Sequence, residues 1–324
     1  MKTMITLLQR EYWENRGSFA ITPIAIGGFF VVLLIFALFS SPALVDTTNE
    51  GMAEAFGIKL NAVNISVFDL FGSMTVEFAN LSLEQREKIW TIAFYGMSGL
   101  FIAIMVLISA FYLLGSLYDD RRDRSILFWK SLPVSDLMTV SSKVIAVAFV
   151  IPALFCIALL LTYVSIMLIA SLVAMVSSGS VWASIIQPAP FLSVPLKIFT
   201  GHIIHTLWAA PFLGWVLFVS SWTKRKPILM VTIPIGVIAF LEFYYNRSTH
   251  FINAVWERVL GWVAPLDVTN GTHLGTGQLL LEEWDIYETA PSLLATSGMW
   301  YGLAIGGAFF AASVYVRRYR DESL

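Results

Sequence analysis

VIAVAFVIPALFCIALLLTYVSIMLIASLVAMV, residues 144–176, runs for 33 residues without a charged side chain. Crossing the hydrocarbon of a bilayer takes about 20 predominantly apolar residues in a helix, so this stretch is long enough to span with tilt or to project beyond. Working outward, five more stretches qualify, at 20–41, 92–118, 196–222, 228–245 and 298–316. The whole chain of 324 residues is 57% hydrophobic and 13% charged, about half the charge of a soluble domain. The sequence therefore predicts an all-α integral membrane protein with six transmembrane helices in one domain.

Orientation follows from the placement of Lys and Arg, which favour the cytoplasmic side. Six spans put both ends of the chain on one side. That side carries 14 of the 20 basic residues on short segments: Lys2, Arg10 and Arg16; five between Arg121 and Lys143; Lys224–Lys226; and Arg317, Arg318 and Arg320. It is read as cytoplasmic, which makes this a multi-pass protein of a cell membrane, with a bacterial inner membrane as the expected setting. Two long loops, 42–91 and 246–297, then lie outside and hold most of the acidic residues. Phe68, Phe71, Val76 and Phe78 alternate with polar residues there, as in short surface helices. Four N-x-S/T sequons begin at Asn64, Asn80, Asn246 and Asn270, but seven of the eight asparagines fall on that side anyway.

Residues 1–17 mix Met4, Ile5, Leu7, Leu8, Tyr12 and Trp13 with Arg10, Glu11, Glu14 and Arg16. Met4, Leu8 and Tyr12 form an i, i+4, i+8 row, so an amphipathic helix lying in the membrane interface is expected before the first span. Its charges leave no uninterrupted apolar core for a cleavable signal peptide. The net charge of −2 gives no reason to expect a nucleic-acid partner, and the single cysteine, Cys156, permits no internal disulfide.

Ionisable residues inside spans are costly and therefore candidates for function. His202 and His205 share a helix face, yet no Asp, Glu or Cys nearby completes a metal site. Hydrogen bonding within the bundle is the plainer expectation, and no catalytic or metal residue is nominated. Glu242 lies about 24 Å above Lys226 on a helix, near the outer interface, with Arg247 within reach. There is no G-x-x-x-x-G-K-[ST] phosphate loop. LSLEQ, Leu81–Gln85, echoes an ATPase signature faintly, without its glycines and on the outer side. Gly302 and Gly306 allow close helix packing, within one subunit or between two. Pro152, Pro211 and Pro234 are each expected to kink a span.

The remaining feature is the segment 119–143. Asp119–Arg124 are six consecutive charges, expected to be wet, and they run into apolar Ile126-Leu127-Phe128-Trp129. Pro133 breaks the helix; Ser135 is a suitable N-cap for the next, with Asp136 in its first turn. The apolar tip suits either the lipid interface or a groove on a cytoplasmic partner.

Asp120-Arg121, Leu127 or Leu132, Pro133-Val134-Ser135 and Lys143 follow a pattern similar to the loop between spans two and three of type-2 ABC transporter permeases, with Arg124-Ser125 in place of the family's Gly-Thr. The layout of an N-terminal interfacial helix and six spans also resembles that ABC-2 family. The resemblance implies an exporter subunit without enzymatic activity of its own. Its coupling segment would seat in a separate ABC ATPase, with Arg121, Arg122, Arg124, Phe128, Trp129 and Lys130 as contacts. ATP and Mg would be bound in that partner, and a second permease copy or paralogue would complete the unit. Two other functions are weighed beside it: a non-transporting anchor for an ATPase or envelope-assembly complex, and an intramembrane metal-dependent enzyme built on His202, His205 and Glu242. No feature of the sequence selects a substrate.

Overall fold

A computed structural model describes residues 2–39, 72, 75–123, 134–177, 179–260 and 286–319. The described residues form helices and turns and no strand. In chain order the helices are α1 (Lys2–Glu14), α2 (Gly17–Phe39), α3 (Leu83–Arg122), α4 (Asp136–Val176), α5 (Ser193–Trp208), α6 (Ala210–Trp222), α7 (Pro227–Asn246), α8 (His250–Leu260), α9 (Ile286–Ala295) and α10 (Ser297–Tyr319). Helices α2, α3, α4, α7 and α10 are long and apolar enough to cross a membrane, and a sixth span results if the bent pair α5–α6 counts as one.

The apolar stretches mark where these helices lie but understate their length. α3 has 40 residues and α4 has 41, so residues 83–91 of the expected outer loop are helical, as are α8 and α9 within 246–297. The LSLEQ motif explains the early start of α3. Ser82 Oγ accepts the Gln85 amide at 3.3 Å, and Gln85 Oε1 accepts the Ser82 amide at 3.1 Å. This reciprocal pair satisfies donors that an unpaired helix start leaves bare. At the start of α4, Ser135 Oγ accepts the Met138 amide at 3.2 Å, so the expected N-cap is in place.

Kinks were expected at three prolines, and one break is present. α5 and α6 meet at 69°, with Pro211 in the first turn of α6. Pro152 and Pro234 sit inside unbroken helices. At Pro152 the reason is a π-helical turn, Ala146–Val150, in which the Ile151 amide reaches back to Ala146 O. The widened turn moves the carbonyl that proline leaves without a helical donor from Ala148 to Val147.

The chain divides into two compact units. The first comprises residues 1–20, 102–156 and 196–324. Within it α6 and α10 pack backbone to backbone: a Cβ on Gly306 would lie 2.6 Å from Ala210 O, and one on Gly214 would lie 2.9 Å from Gly306 O. Trp215, Phe218 and Phe309 close around that seam. The second comprises residues 21–101 and 157–195. There the Phe94 and Tyr163 rings stack at 3.9 Å, and Gly27 meets Thr162. Ala170, Ala174 and Ile185 form a small core beside Trp90. Outward-facing positions of the long helices, such as Phe29, Val32, Phe36, Leu161, Leu168 and Leu172, are large, apolar and exposed. Lipid is the solvent such faces suit.

Candidate functional site

The charged run 119–124 divides by helical spacing. Leu113 and Leu117 are buried on one face of α3, and residues 120 and 121 continue that face at i+3 and i+4 from Leu117. Asp119, Arg122 and Asp123 are on the other side, exposed and paired with one another at 3.0 Å. The expectation that the whole run is wet is therefore corrected for Asp120, which is 6% exposed. Protein, not hydrocarbon, surrounds it, and the cations it meets make its burial tolerable.

Those cations come from two other helices. Arg10 Nη2 of α1 lies 3.2 Å from Asp120 Oδ1, and Arg317 Nη1 of α10 lies 3.3 Å from Asp120 Oδ2. Arg317 also presents Nε to Asp136 Oδ1 at 3.2 Å. Two turns along α4 from Asp136, Lys143 faces the same interior. Its ammonium is 2.8 Å from both carboxylate oxygens of Glu11, with a hydrogen bond to Oε2. Tyr112 Oη donates to that Oε2 at 2.7 Å. Glu11 and Lys143 are both almost fully buried. Arg10 thus reaches α3, while its neighbour Glu11 and Arg317 of α10 each reach both α3 and α4.

Of the residues nominated as partner contacts, Arg122 is exposed at the end of α3. Arg121 turns instead toward α6 and donates to Ser220 O at 2.6 Å and Thr223 O at 2.9 Å, capping carbonyls that the helix end leaves unpaired. Arg124, Phe128, Trp129 and Lys130, with the rest of the apolar tip, fall outside the described residues.

On α1 the row Met4, Leu8 and Tyr12, expected to face the membrane interface, is half-buried. Leu7 and Glu11 are buried, while Ile5 and Trp13 are exposed. A glutamate four residues after a leucine on an amphipathic helix reads as solvated. The missing signal was its partner, 132 positions away.

His202 sits where a proline frees a carbonyl. In the π-helical register the donor to Val147 O would be residue 152, a proline, and His202 Nε2 takes that carbonyl at 3.2 Å. At the α5–α6 break Arg258 donates to Trp208 O at 2.9 Å and to Gly298 O at 2.7 Å, with its guanidinium 3.8 Å over the Trp208 ring. His205 Nε2 and Trp208 Nε1 donate in return to Val259 O and Glu257 O of α8, each at 3.2 Å. Burial lowers the Arg258 guanidinium from its ordinary value, against the pull of Glu257. Among the described residues no group of three or more His, Cys, Asp or Glu is placed to hold a metal ion.

Glu242 accepts Ser248 Oγ and the amides of His250 and Phe251 at 2.8–3.0 Å, so it caps the start of α8, while Arg247 lies over the Phe243 ring. Gly302 and Gly306 are both used inside this chain: Gly306 against Ala210, and Gly302 beneath Arg258, whose Nη1 would be 2.6 Å from an added Cβ. Compared with protein-family models, curated proteins and solved structures, the chain matches none.

Proposed function

We propose that this chain is the membrane subunit of an ABC-2 type exporter, transmitting ATP hydrolysis by a separate ATPase subunit to the export of a substrate across a bacterial inner membrane. In this reading there are six spans, the bent pair α5–α6 being one, and both termini are cytoplasmic. Helix α1 lies at the interface with Ile5 and Trp13 toward lipid. Segment 119–143 is the coupling element. ATP and Mg belong to the partner, and a second copy or paralogue completes the transporter.

One observation carries the reading. Both roots of the α3–α4 loop are tied to α1 and α10 by ion pairs, the Glu11–Lys143 and Arg317–Asp120 pairs buried and the Arg10–Asp120 and Arg317–Asp136 pairs part-exposed. A loop that merely joins two spans needs no such anchorage, whereas one that transmits displacement must move its helices with it. The sequence pattern of that loop and the lack of a phosphate-binding loop in the chain agree with this assignment.

The test is reconstitution of the full chain with the ABC ATPase encoded nearest to it. Transport-linked ATP hydrolysis is expected, and Phe128→Ala with Trp129→Ala should abolish its stimulation while leaving the basal ATPase rate intact. Stable ATPase binding with no solute movement would replace exporter by anchor, and failure of the two chains to associate would remove the proposal.

A further inference from the structure

In the network at the foot of α3 and α4, Arg317 touches both roots of the loop at their described ends. Arg317 of α10 is 4% exposed at its side chain and meets Asp120, three residues before the last described residue of one root, and Asp136, two residues after the first of the other. The two contacts differ. Asp120 is buried and has a second cation in Arg10. Asp136 is 25% exposed and has no other ion-pair partner among the described residues. It borders a hollow of 370 Å³ lined also by Val134, Ser135, Leu137, Arg317 and Arg318, which leaves the outer contact open to solvent. Water weakens an ion pair by raising the local dielectric.

We infer that Arg317 is a positioning residue. It sets the separation of the two loop roots through a permanent inner bond to Asp120 and a releasable outer bond to Asp136. Its planar fork is what the task requires: guanidinium offers donors in fixed directions to two carboxylates at once, and an ammonium on a flexible stem does not. The inner bond makes α3 and α10 one body, and the outer bond adds α4 until the loop is displaced. The transmission this serves rests on the coupling function proposed above; the geometry of the clamp does not.

The experiment uses the full chain in lipid nanodiscs with Cys156→Ser, and spin labels on Asp123→Cys and Leu137→Cys, both exposed positions. The parent is expected to give one narrow label-to-label distance distribution. Arg317→Lys keeps the charge, and Asp120 keeps Arg10, so the fold should stand while the distribution broadens. Asp136→Asn removes only the water-exposed half and should broaden it as well. Rescue to parental width by lysine, or an unchanged width in Asp136→Asn, overturns the clamp.

A second arm measures stimulated ATP hydrolysis with the partner subunit. Loss of stimulation in Arg317→Lys, with binding retained, joins the clamp to transmission. Broadened distances with parental stimulation would limit it to holding the roots. No stimulation even in the parent is a failure of the coupling function and leaves the distance result to judge the clamp.

Discussion

Helices α3 and α4 are held in two different ways along their lengths. In the first unit their polar ends, with Tyr112, Asp120 and Lys143, meet carboxylates and guanidiniums from α1 and α10. In the second unit the remaining halves meet through the Phe94–Tyr163 ring stack, and α4 also sets Thr162 against Gly27 of α2 and Ala170 and Ala174 against Ile185. The contrast is between few contacts that fail abruptly and many that fail gradually. A buried ion pair stabilises little over an apolar pair of equal volume, yet losing one partner strands a charge. Apolar packing loses only what is removed, plus the cavity left behind.

The largest difference should appear at Lys143. Lys143→Ala leaves Glu11 buried without its cation, and a loss of about 3–5 kcal/mol is expected, read as thermal unfolding of the full chain in nanodiscs. The double variant Lys143→Met with Glu11→Gln should recover most of it, because Gln Oε1 still accepts Tyr112 Oη and no charge remains to be buried. If Lys143→Ala unfolds at the parental temperature, or if the double variant adds to the loss, the polar ends are not held by charge in the way described.

The second unit should respond in a milder way to added volume. A Cβ on Gly27 would lie 2.2 Å from Thr162 Oγ1, so Gly27→Ala must turn that side chain away from Ala158 O, which its hydroxyl bonds at 2.8 Å. Overpacking of this kind costs about 1–3 kcal/mol. Removing the obstruction with Thr162→Ala should return most of it in the same assay. A Gly27→Ala loss that Thr162→Ala leaves untouched would mean the helices are kept apart by something other than this contact.

The two regions also differ in how far the sequence discloses them. Uninterrupted apolar runs locate the long helices, because bilayer thickness dictates run length. Local polar signals such as Ser135 before Asp136 work for the same reason: donor and acceptor are three residues apart. The S-x-x-Q in LSLEQ carries an equally local meaning as a capping box, obscured by its likeness to an unrelated motif. Pro211 marks the break, while Pro152 does not break α4, since a π-helical turn forms ahead of it. What composition could not disclose are pairings across the chain. Glu11 with Lys143 spans 132 positions and Arg317 with Asp120 spans 197, and each of these charges, taken alone, reads as surface. The candidate site was therefore legible as a loop and illegible as a network.

The smallest effect is expected at a hydroxyl within the second unit. Tyr163 Oη donates to Phe94 O at 2.8 Å and also meets Ser98 Oγ. Taking the hydroxyl away strands nothing. Phe94 O keeps the Ser98 hydroxyl at 2.6 Å, and the stacked ring, which provides most of the contact, is unchanged in Tyr163→Phe. Hydrogen bonds between membrane helices are worth about 0.6 kcal/mol on average, so a loss of that size is expected in the nanodisc unfolding assay, several-fold below that of Lys143→Ala. A larger loss would show that this hydroxyl shares the all-or-none character of the charged end. The division between the two regions would then lie between polar and apolar contacts wherever they occur, and not between the two ends of α3 and α4.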